Sequence, residues 1–353
     1  MRIAYACYWD ARRLDGVAAK LTSQAHAWRR AGHEVELHVL SPAPRAGEAI
    51  ELAGAIYPFD GRLGRPVATR RLYQGVAAWR PDLVYLRYDL FAPPPTPLTR
   101  AAPTVVEINS KLQVELAERS RLAAGYERVQ DAMLLRRTAG AVCVSGELAH
   151  DVHARRADLA VVVVGNGVDL TGIPTLPPAA AERIRVAYMG DAVWWQGVDK
   201  ILELAAALPE WHFDLIGVEP LEAPPNVTCH GFLARERYEP LLASADLALG
   251  TLALHRKDLD ETSALKVPLY LAYGLPIVIG YADTNLDGLD AWYLLRLPNV
   301  EANVREGIAR IEAFGRSVKG RRVPRDEIAG RISVDAKEAE RLAFFETIRT
   351  GRR

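Results

Sequence analysis

Short apolar runs alternate with amphipathic helical patterns along the whole chain, and the alternation stops once and then restarts. Residues 3–7 read as a buried strand, residues 17–30 as a helix closed by Gly32, and residues 34–40 as a second strand. Further apolar runs at 83–86, 104–108 and 141–144 are separated by helical stretches, notably 112–138. The run at 159–164 ends this series at the turn Gly165-Asn166-Gly167. Parallel strands need crossover connections, usually helices, so the pattern implies a parallel sheet covered on both faces.

Residues 170–182 (LTGIPTLPPAAAE) are rich in Pro, Gly and Ala and read as a linker between a first domain, 1–169, and a second, 183–333. Strands at 185–188, 213–216, 226–229, 246–249 and 277–279 then alternate with helices at 198–208 and 235–243 and one ending before Gly274. That is the pattern of a second doubly wound α/β domain. The last segment, 334–353, is distinct. Ala339, Leu342, Ala343 and Phe345 lie at helical spacing after a basic, loop-like stretch at 317–325. A helix so late in the chain is placed to cross back onto the first domain.

A length of 353 residues suits about two domains. Lys plus Arg equals Asp plus Glu at 44 each, so no bulk attraction to nucleic acid is expected. The charge is unevenly spread, with 22 basic against 17 acidic residues in 1–165 and 22 against 27 afterwards. Two lobes with different partners fit that split. Cys7, Cys143 and Cys229 form neither a metal pattern nor a disulfide framework, which favours a reducing compartment. The N-terminal segment enters a strand without a signal-peptide pattern, and the longest aliphatic run, 159–164, is too short to span a bilayer. The expected setting is cytoplasmic.

In open α/β sheets ligands bind beyond the carboxyl ends of the strands, so the chemistry is sought in the post-strand loops. In the loop 8–16, Gly16 would let backbone approach a ligand at a helix N-terminus, and Asp15 would cap that helix. A glycine needed only for the turn explains the residue equally well. No dinucleotide fingerprint or Walker lysine follows. The second loop, 188–200 (YMGDAVWWQGVDK), holds Gly190, Gly197 and the pair Trp194-Trp195, which either stack on a flat ligand or pack on the core.

The third loop is the most informative: residues 254–276 (LHRKDLDETSALKVPLYLAYGLP). Thr262 or Ser263 is expected as N-cap, with Lys266 in the first turn, where Pro268 is tolerated. A phosphate there would meet free backbone N–H groups, the helix dipole and Lys266. Glu261, just before that anion site, suits sugar hydroxyls or a developing cationic carbon better than phosphate. A capped surface helix with solvated charges is the plain alternative. His150 and His153 lack a third ligand for zinc, and no metal site is expected. Arg128, Arg136 and Arg137 read as a solvated helix face, or as a surface for an anionic acceptor or for weak peripheral membrane contact through the first domain.

These loops resemble the retaining GT-B glycosyltransferases of glycosyltransferase family 4. In the first domain the resemblance rests on the Gly16 loop, 31–35 (AGHEV), 80–84 (RPDLV) and 144–148 (VSGEL), and at the linker on 165–169 (GNGVD). In the second it rests on Gly190, 195–199 (WQGVD), 230–232 (HGF), 243–257 (ASADLALGTLALHRK) and 272–278 (AYGLPIV). It implies two Rossmann-like domains facing a central cleft. The nucleotide-sugar donor would sit mainly on the second, the acceptor mainly on the first, with no cofactor beyond the donor substrate.

By resemblance Glu261 is the first of the family's paired glutamates and faces the donor sugar. The backbone of Thr262, Ser263, Ala264 and Leu265 would hold the diphosphate, with Lys266, Arg256 and Lys257 supplying positive charge and Gly16 closing from the other lobe. Gly190 and Trp195 belong to the donor loop, Ser145 lies near the cleft and Asn166 at the hinge. The sequence departs from the family at several positions. Leu269 stands where a second glutamate would hold the ribose. Asp191 and Gln196 stand where relatives carry arginine and lysine, and Asn109 lies in the segment where a histidine is common. A lost ribose carboxylate removes one or two charge-assisted hydrogen bonds, about 1.5–3 kcal/mol each, or about tenfold or more in affinity. A nucleotide-sugar epimerase or hydrolase, or a non-catalytic binder, are the alternatives to a transferase.

Overall fold

A computed structural model describes residues 1–13, 15–44, 52–177 and 182–351. Leu14 of the first post-strand loop and residues 178–181 of the expected linker lie outside the described residues. The chain divides into two compact units, Met1–Gly165 with Val334–Arg353, and Asn166–Ser333.

The first unit runs β1 (Arg2–Tyr8), α1 (Gly16–Arg30), β2 (Glu34–Pro42), β3 (Ala55–Phe59), α2 (Gly61–Trp79), β4 (Leu83–Arg87), α3 (Leu98–Ala101), β5 (Thr104–Ile108), α4 (Leu112–Ala117), α5 (Arg121–Leu135), β6 (Gly140–Cys143), α6 (Gly146–Arg155) and β7 (Ala160–Val163). Its strands form one sheet in the order β3-β2-β1-β4-β5-β6-β7, parallel throughout. The central strands are mostly apolar with no polar alternation because helices bury both faces, Glu107 of β5 being the buried exception. Three helices begin on side-chain caps: Asp15 accepts from the N–H groups of Val17 and Ala18 at 3.1 Å each, Ser120 accepts from Ala123 N–H, and Ser145 accepts from Leu148 N–H.

The second unit runs β8 (Arg185–Met189), α7 (Val198–Ala207), β9 (His212–Ile216), β10 (Val227–Gly231), α8 (Arg235–Ser244), β11 (Leu247–Leu249), β12 (Glu261–Thr262), α9 (Lys266–Ala272), β13 (Ile277–Ile279), β14 (Ala282–Asp283), β15 (Leu294–Arg296), α10 (Asn303–Val318) and α11 (Arg325–Ile332). The order β10-β9-β8-β11-β13-β15 is again all parallel, and β12 pairs with β14 outside the sheet. Each sheet starts in its middle, builds outward one way, then returns to build the other way. The reversal falls between β1 and β4 in the first unit and between β8 and β11 in the second, which opens a crevice beyond those strand ends.

Three expectations need correction. The single helix over 112–138 is two, α4 and α5, because Ser120 leaves helical conformation and its hydroxyl caps α5 at Ala123 N–H. The loop-like stretch 317–325 is shorter: Ser317 and Val318 finish α10 and Arg325 opens α11. The described residues of 166–182 pack with the second unit, where Arg322 and Arg325 donate to the carbonyls of Pro177 and Pro174 at 2.9 and 3.1 Å.

After α11 the chain enters α12 (Val334–Thr350), which returns to the first unit. Phe345 is fully buried there, with its ring 5.5 Å from Trp28 and 5.1 Å from Tyr85 between centroids. Gly140 makes room for the helix, since a Cβ there would lie 2.9 Å from the Phe344 and Ile348 side chains. The contact is also ionic. The Glu338 carboxylate accepts from Trp28 Nε1 at 2.7 Å and Gln24 Nε2 at 3.2 Å, and pairs with Arg341. Arg341 in turn lies 3.9 Å from Glu107, which pairs with Lys20 at 2.8 Å and Arg87 at 3.5 Å. Burial alone would raise the Glu107 carboxyl, but Lys20, Arg341 and Arg87 together hold it well below the carboxylate range.

A buried ion pair that loses one member leaves the other uncompensated. Arg341→Ala is therefore expected to destabilise the first unit by about 3–5 kcal/mol in urea unfolding. Combining Arg341→Met with Glu338→Gln should recover most of that loss. Equal unfolding midpoints for wild type and Arg341→Ala would show that the pair does not hold the helix.

Candidate functional site

In the second unit three loops leave the carboxyl ends of neighbouring strands: 190–197 after β8, 250–265 after β11 and 280–286 after β13. Backbone hydrogen bonds join them, from Leu252 N–H to the Gln196 carbonyl at 3.1 Å and from Gly280 N–H to the Thr251 carbonyl at 3.0 Å. Most of the residues singled out in the sequence stand here, at the point where the strand order reverses.

Gly190, Gln196 and Lys266 form one cluster. Lys266 is the first residue of α9 and only 9% exposed. Its ammonium donates to Gln196 Oε1 at 2.7 Å and sits 4.1 Å above the centroid of the Tyr188 ring. Thr251 donates to the same Gln196 oxygen at 3.0 Å. Gly190 has φ +150°, and a Cβ there would lie 2.8 Å from Lys266 Nζ and 2.9 Å from Tyr188 Oη. Burial pushes the Lys266 amine down to about 7, only partly opposed by the charge of Asp191. Asp191 itself is exposed, and its carbonyl accepts from Tyr188 Oη at 3.0 Å.

Glu261 and the turn after it form a second cluster. Glu261 is half-buried in β12 and accepts from Thr284 Oγ1 at 2.9 Å. Neither Thr262 nor Ser263 caps the helix as expected. α9 begins later, with Leu265 at its N-cap, because the Ser263 hydroxyl is turned inward. There it accepts from Asn166 N–H at 2.8 Å and Asn285 Nδ2 at 3.2 Å, while the Asn166 side chain donates to the Ser263 carbonyl. Asn285 Nδ2 also donates to the Asn166 carbonyl at 2.8 Å. Ala264 and Leu265 are half-buried at the helix start, and Leu269 is half-buried one turn on. The first amides of a helix have no intrahelical acceptor, so this turn offers N–H groups to an anion.

Arg256 and Lys257 belong to a short 3₁₀ turn, Leu254–Lys257. The Arg256 guanidinium is forked onto Asp199 at 3.0 and 2.6 Å, pairs with Glu301, and donates to the Trp194 carbonyl. Lys257 is buried with Nζ 4.3 Å above the Trp195 ring, so of the paired tryptophans Trp195 packs and Trp194 is 38% exposed.

The remaining candidates lie in the first unit. Asp15 and exposed Gly16 start α1 beyond β1. Asn109 follows β5, where its Oδ1 accepts from Lys20 Nζ at 2.8 Å and its Nδ2 donates to Glu107 at 3.2 Å. Ser145 is fully buried in its capping role. On α5, Leu122, Val129 and Met133 are 88, 56 and 37% exposed beside exposed Arg121, Arg128, Arg136 and Arg137. Among the described residues no helix is long and apolar enough to cross a membrane, and no three His, Cys, Asp or Glu side chains group to hold a metal ion.

Tyr188, Thr251, Asp283, Thr284 and Asn285 belong to the site but were not singled out in the sequence. The run DTN at 283–285 follows β13 by a few residues, and a cluster of short polar side chains after a strand was the available signal. Asp283 is buried, accepts from Tyr281 Oη and Asn285 N–H at 3.0 Å each, and also braces the Ala264 amide. Burial raises its carboxyl to about 7 despite those bonds. Between the unfolded value near 3.8 and 7 the folded state keeps a proton that the unfolded state has lost. This group therefore lowers stability as pH rises through that window, with the full cost present above 7. Asp283→Asn is expected to be more stable than wild type, with the urea-unfolding gap widening from pH 5 to pH 8. A gap independent of pH would remove the ionisation of Asp283 from the account.

Residues 14–171 match the family model described as Glycosyltransferase Family 4. No curated protein sequence matches the chain. Among solved structures, the apo form of the lipopolysaccharide outer core galactosyltransferase WaaB is similar at 13% identity and TM-score 0.66, over 100% of both chains. HepE from Anabaena, in complex with UDP and glucose, is similar at 15% identity and TM-score 0.68, over 98% of this chain and 99% of that one. TarM is similar at 7% identity and TM-score 0.68, over 98% of each. Two parallel Rossmann-like units give the chain the GT-B fold, and its first unit carries the match to glycosyltransferase family 4.

Proposed function

We propose that the protein is a retaining glycosyltransferase that moves a sugar from a nucleotide-diphosphate sugar to an acceptor hydroxyl, without a metal or further cofactor. The observation that carries this reading is the juxtaposition, on one turn at the strand-order reversal, of a half-buried carboxylate, Glu261, with a helix start and a buried ammonium, Lys266. The donor diphosphate would lie against Lys266 and the N–H groups of the turn 262–265, apart from that of Ala264, which Asp283 already takes. Glu261, its orientation supported by Thr284, would face the sugar carbon as it becomes cationic. The bond from that carbon to the diphosphate breaks while the bond to the acceptor oxygen forms on the same face. The acceptor proton passes to the departing phosphate oxygen. Lys266 and the helix amides stabilise the negative charge that develops there.

The first unit would take the acceptor beyond its own strand ends, near Asp15, Gly16 and Asn109. Uridine is the first base to test, because HepE was crystallised with UDP and glucose. The three scattered cysteines support a cytoplasmic setting. Glu261→Ala is expected to cut transfer at least a hundredfold while leaving the unfolding curve unchanged. Transfer at the wild-type rate by that variant would take Glu261 out of the mechanism. Leu269, apolar where a ribose-binding carboxylate is common in the family, favours a second reading as a sugar-nucleotide binder without transfer. Tight nucleotide binding with no sugar transferred to any acceptor, and no sugar freed, would support it.

The exposed face of α5 interleaves three large apolar side chains with four arginines and suits an anionic lipid surface. Sedimentation with vesicles of phosphatidylglycerol, but not of phosphatidylcholine, is expected. Leu122→Ser with Arg128→Ser should abolish it. Equal partition with both vesicles would exclude this contact.

A further inference from the structure

We propose that donor capture is proton-coupled: Lys266 has no carboxylate partner among the described residues, so the donor diphosphate becomes its counter-ion and binding brings one proton into the site. The inference rests on the proposed donor reading and concerns how the same site is regulated.

The cations of this region are treated differently. Arg256 is saturated by Asp199 and Glu301, and Lys257 is buried over Trp195. Among the described residues no carboxylate oxygen lies within 4.0 Å of Lys266 Nζ. The groups that face it are neutral or distant. β8 contributes the Tyr188 ring, the following loop contributes the Gln196 oxygen, and Thr251 reaches it only through Gln196. Tyr270, on α9 itself, is committed to Met189 N–H. Asp191 is the one carboxylate whose charge is felt there, and it is exposed outside ion-pair distance. Gly190 keeps the space beside Nζ clear, which a Cβ would fill to 2.8 Å.

A buried ammonium in such surroundings loses its hydration and gains only one hydrogen bond to an amide oxygen, so the neutral amine is favoured as pH rises past about 7. A diphosphate brought against Nζ reverses that balance, because an anion within a few ångströms favours the charged form. Protonation and binding are then linked: the ligand raises the amine's proton affinity, and the proton raises the ligand's affinity by the same factor. With the free amine titrating near 7, affinity should hold below that pH and fall about tenfold per pH unit above it.

The test is titration calorimetry of the full chain with UDP, GDP, ADP and dTDP at pH 7.5, 8.0, 8.5 and 9.0. Each pH is run in two buffers of different ionisation enthalpy. Above pH 7.5 the nucleotides' own second ionisation is complete, so net proton uptake reports the protein. The expected result is uptake approaching one proton per nucleotide at pH 8, with Kd rising about tenfold per pH unit. Lys266→Arg, whose guanidinium stays charged, should bind with no uptake and with a flat pH dependence. Binding by wild type with no proton exchange, or a pH slope retained in Lys266→Arg, overturns the inference while leaving the donor reading intact. Failure of all four nucleotides to bind at pH 7.5 overturns both.

Discussion

A parallel sheet allows no strand to be followed directly by its neighbour, because the chain must cross back before it can run forward again. Every loop that follows a strand is therefore delivered to one edge of the sheet, however far apart the strands lie in sequence. That constraint brings residues 190–197, 250–265 and 280–286 side by side in the second unit. It also explains why the site is assembled from small contributions. Gln196 comes from one loop, Lys266 from the helix after another, and Thr284 from a third. No single segment contains the site; the sheet and the hydrogen bonds between the loops align the three.

Two buried lysines, one in each unit, are treated in opposite ways, and the contrast separates architecture from chemistry. In the first unit Lys20, Arg87 and Arg341 are each matched to Glu107 or Glu338, and the set fixes a helix from the far end of the chain onto the core. Lys20 is pushed down to about 8 by burial, yet Glu107 lies 2.8 Å away. In the second unit Lys266 is also buried, with no carboxylate of the described residues beside it. An unmatched ammonium is expensive to fold around. A chain that retains one needs a reason outside its own stability, and the proposed anionic ligand would supply that reason.

Much of this was legible in the sequence because it is local. The apolar runs that became β1, β5 and β13 carry their burial in their composition, and Asp15 stands where a helix cap stands. Other features were hidden by local signals of the wrong kind. α2 contains Pro66 and Gly61, Gly64 and Gly75, residues unfavourable in a helix, and it forms despite them. Ser263 looked like a cap because a serine before a helix usually is one. It turns inward only because Asn166 and Asn285, 97 and 22 residues away, present a backbone amide and a side-chain amide to it. The loop charges were visible as a group, but which of them were already spent was not. Only the fold shows that Arg256 is occupied by Asp199 and Glu301 and Lys266 by no carboxylate.

Lys266 and Leu269 stand three apart on α9, and side chains at that spacing share a face of a helix. In the proposed donor site one would give a bound nucleotide positive charge, and the other an apolar contact where a carboxylate would have gripped hydroxyls. A site so arranged would draw its affinity from the diphosphate rather than from the ribose. Affinity for phosphates is shared by every nucleoside diphosphate, whereas hydroxyl and base contacts discriminate among them. On that proposal, selectivity among donors would then come from the side of Glu261 and its Thr284 partner, where the sugar would lie, and from the strand-end loops after β9 and β10, where Phe232 is 63% exposed.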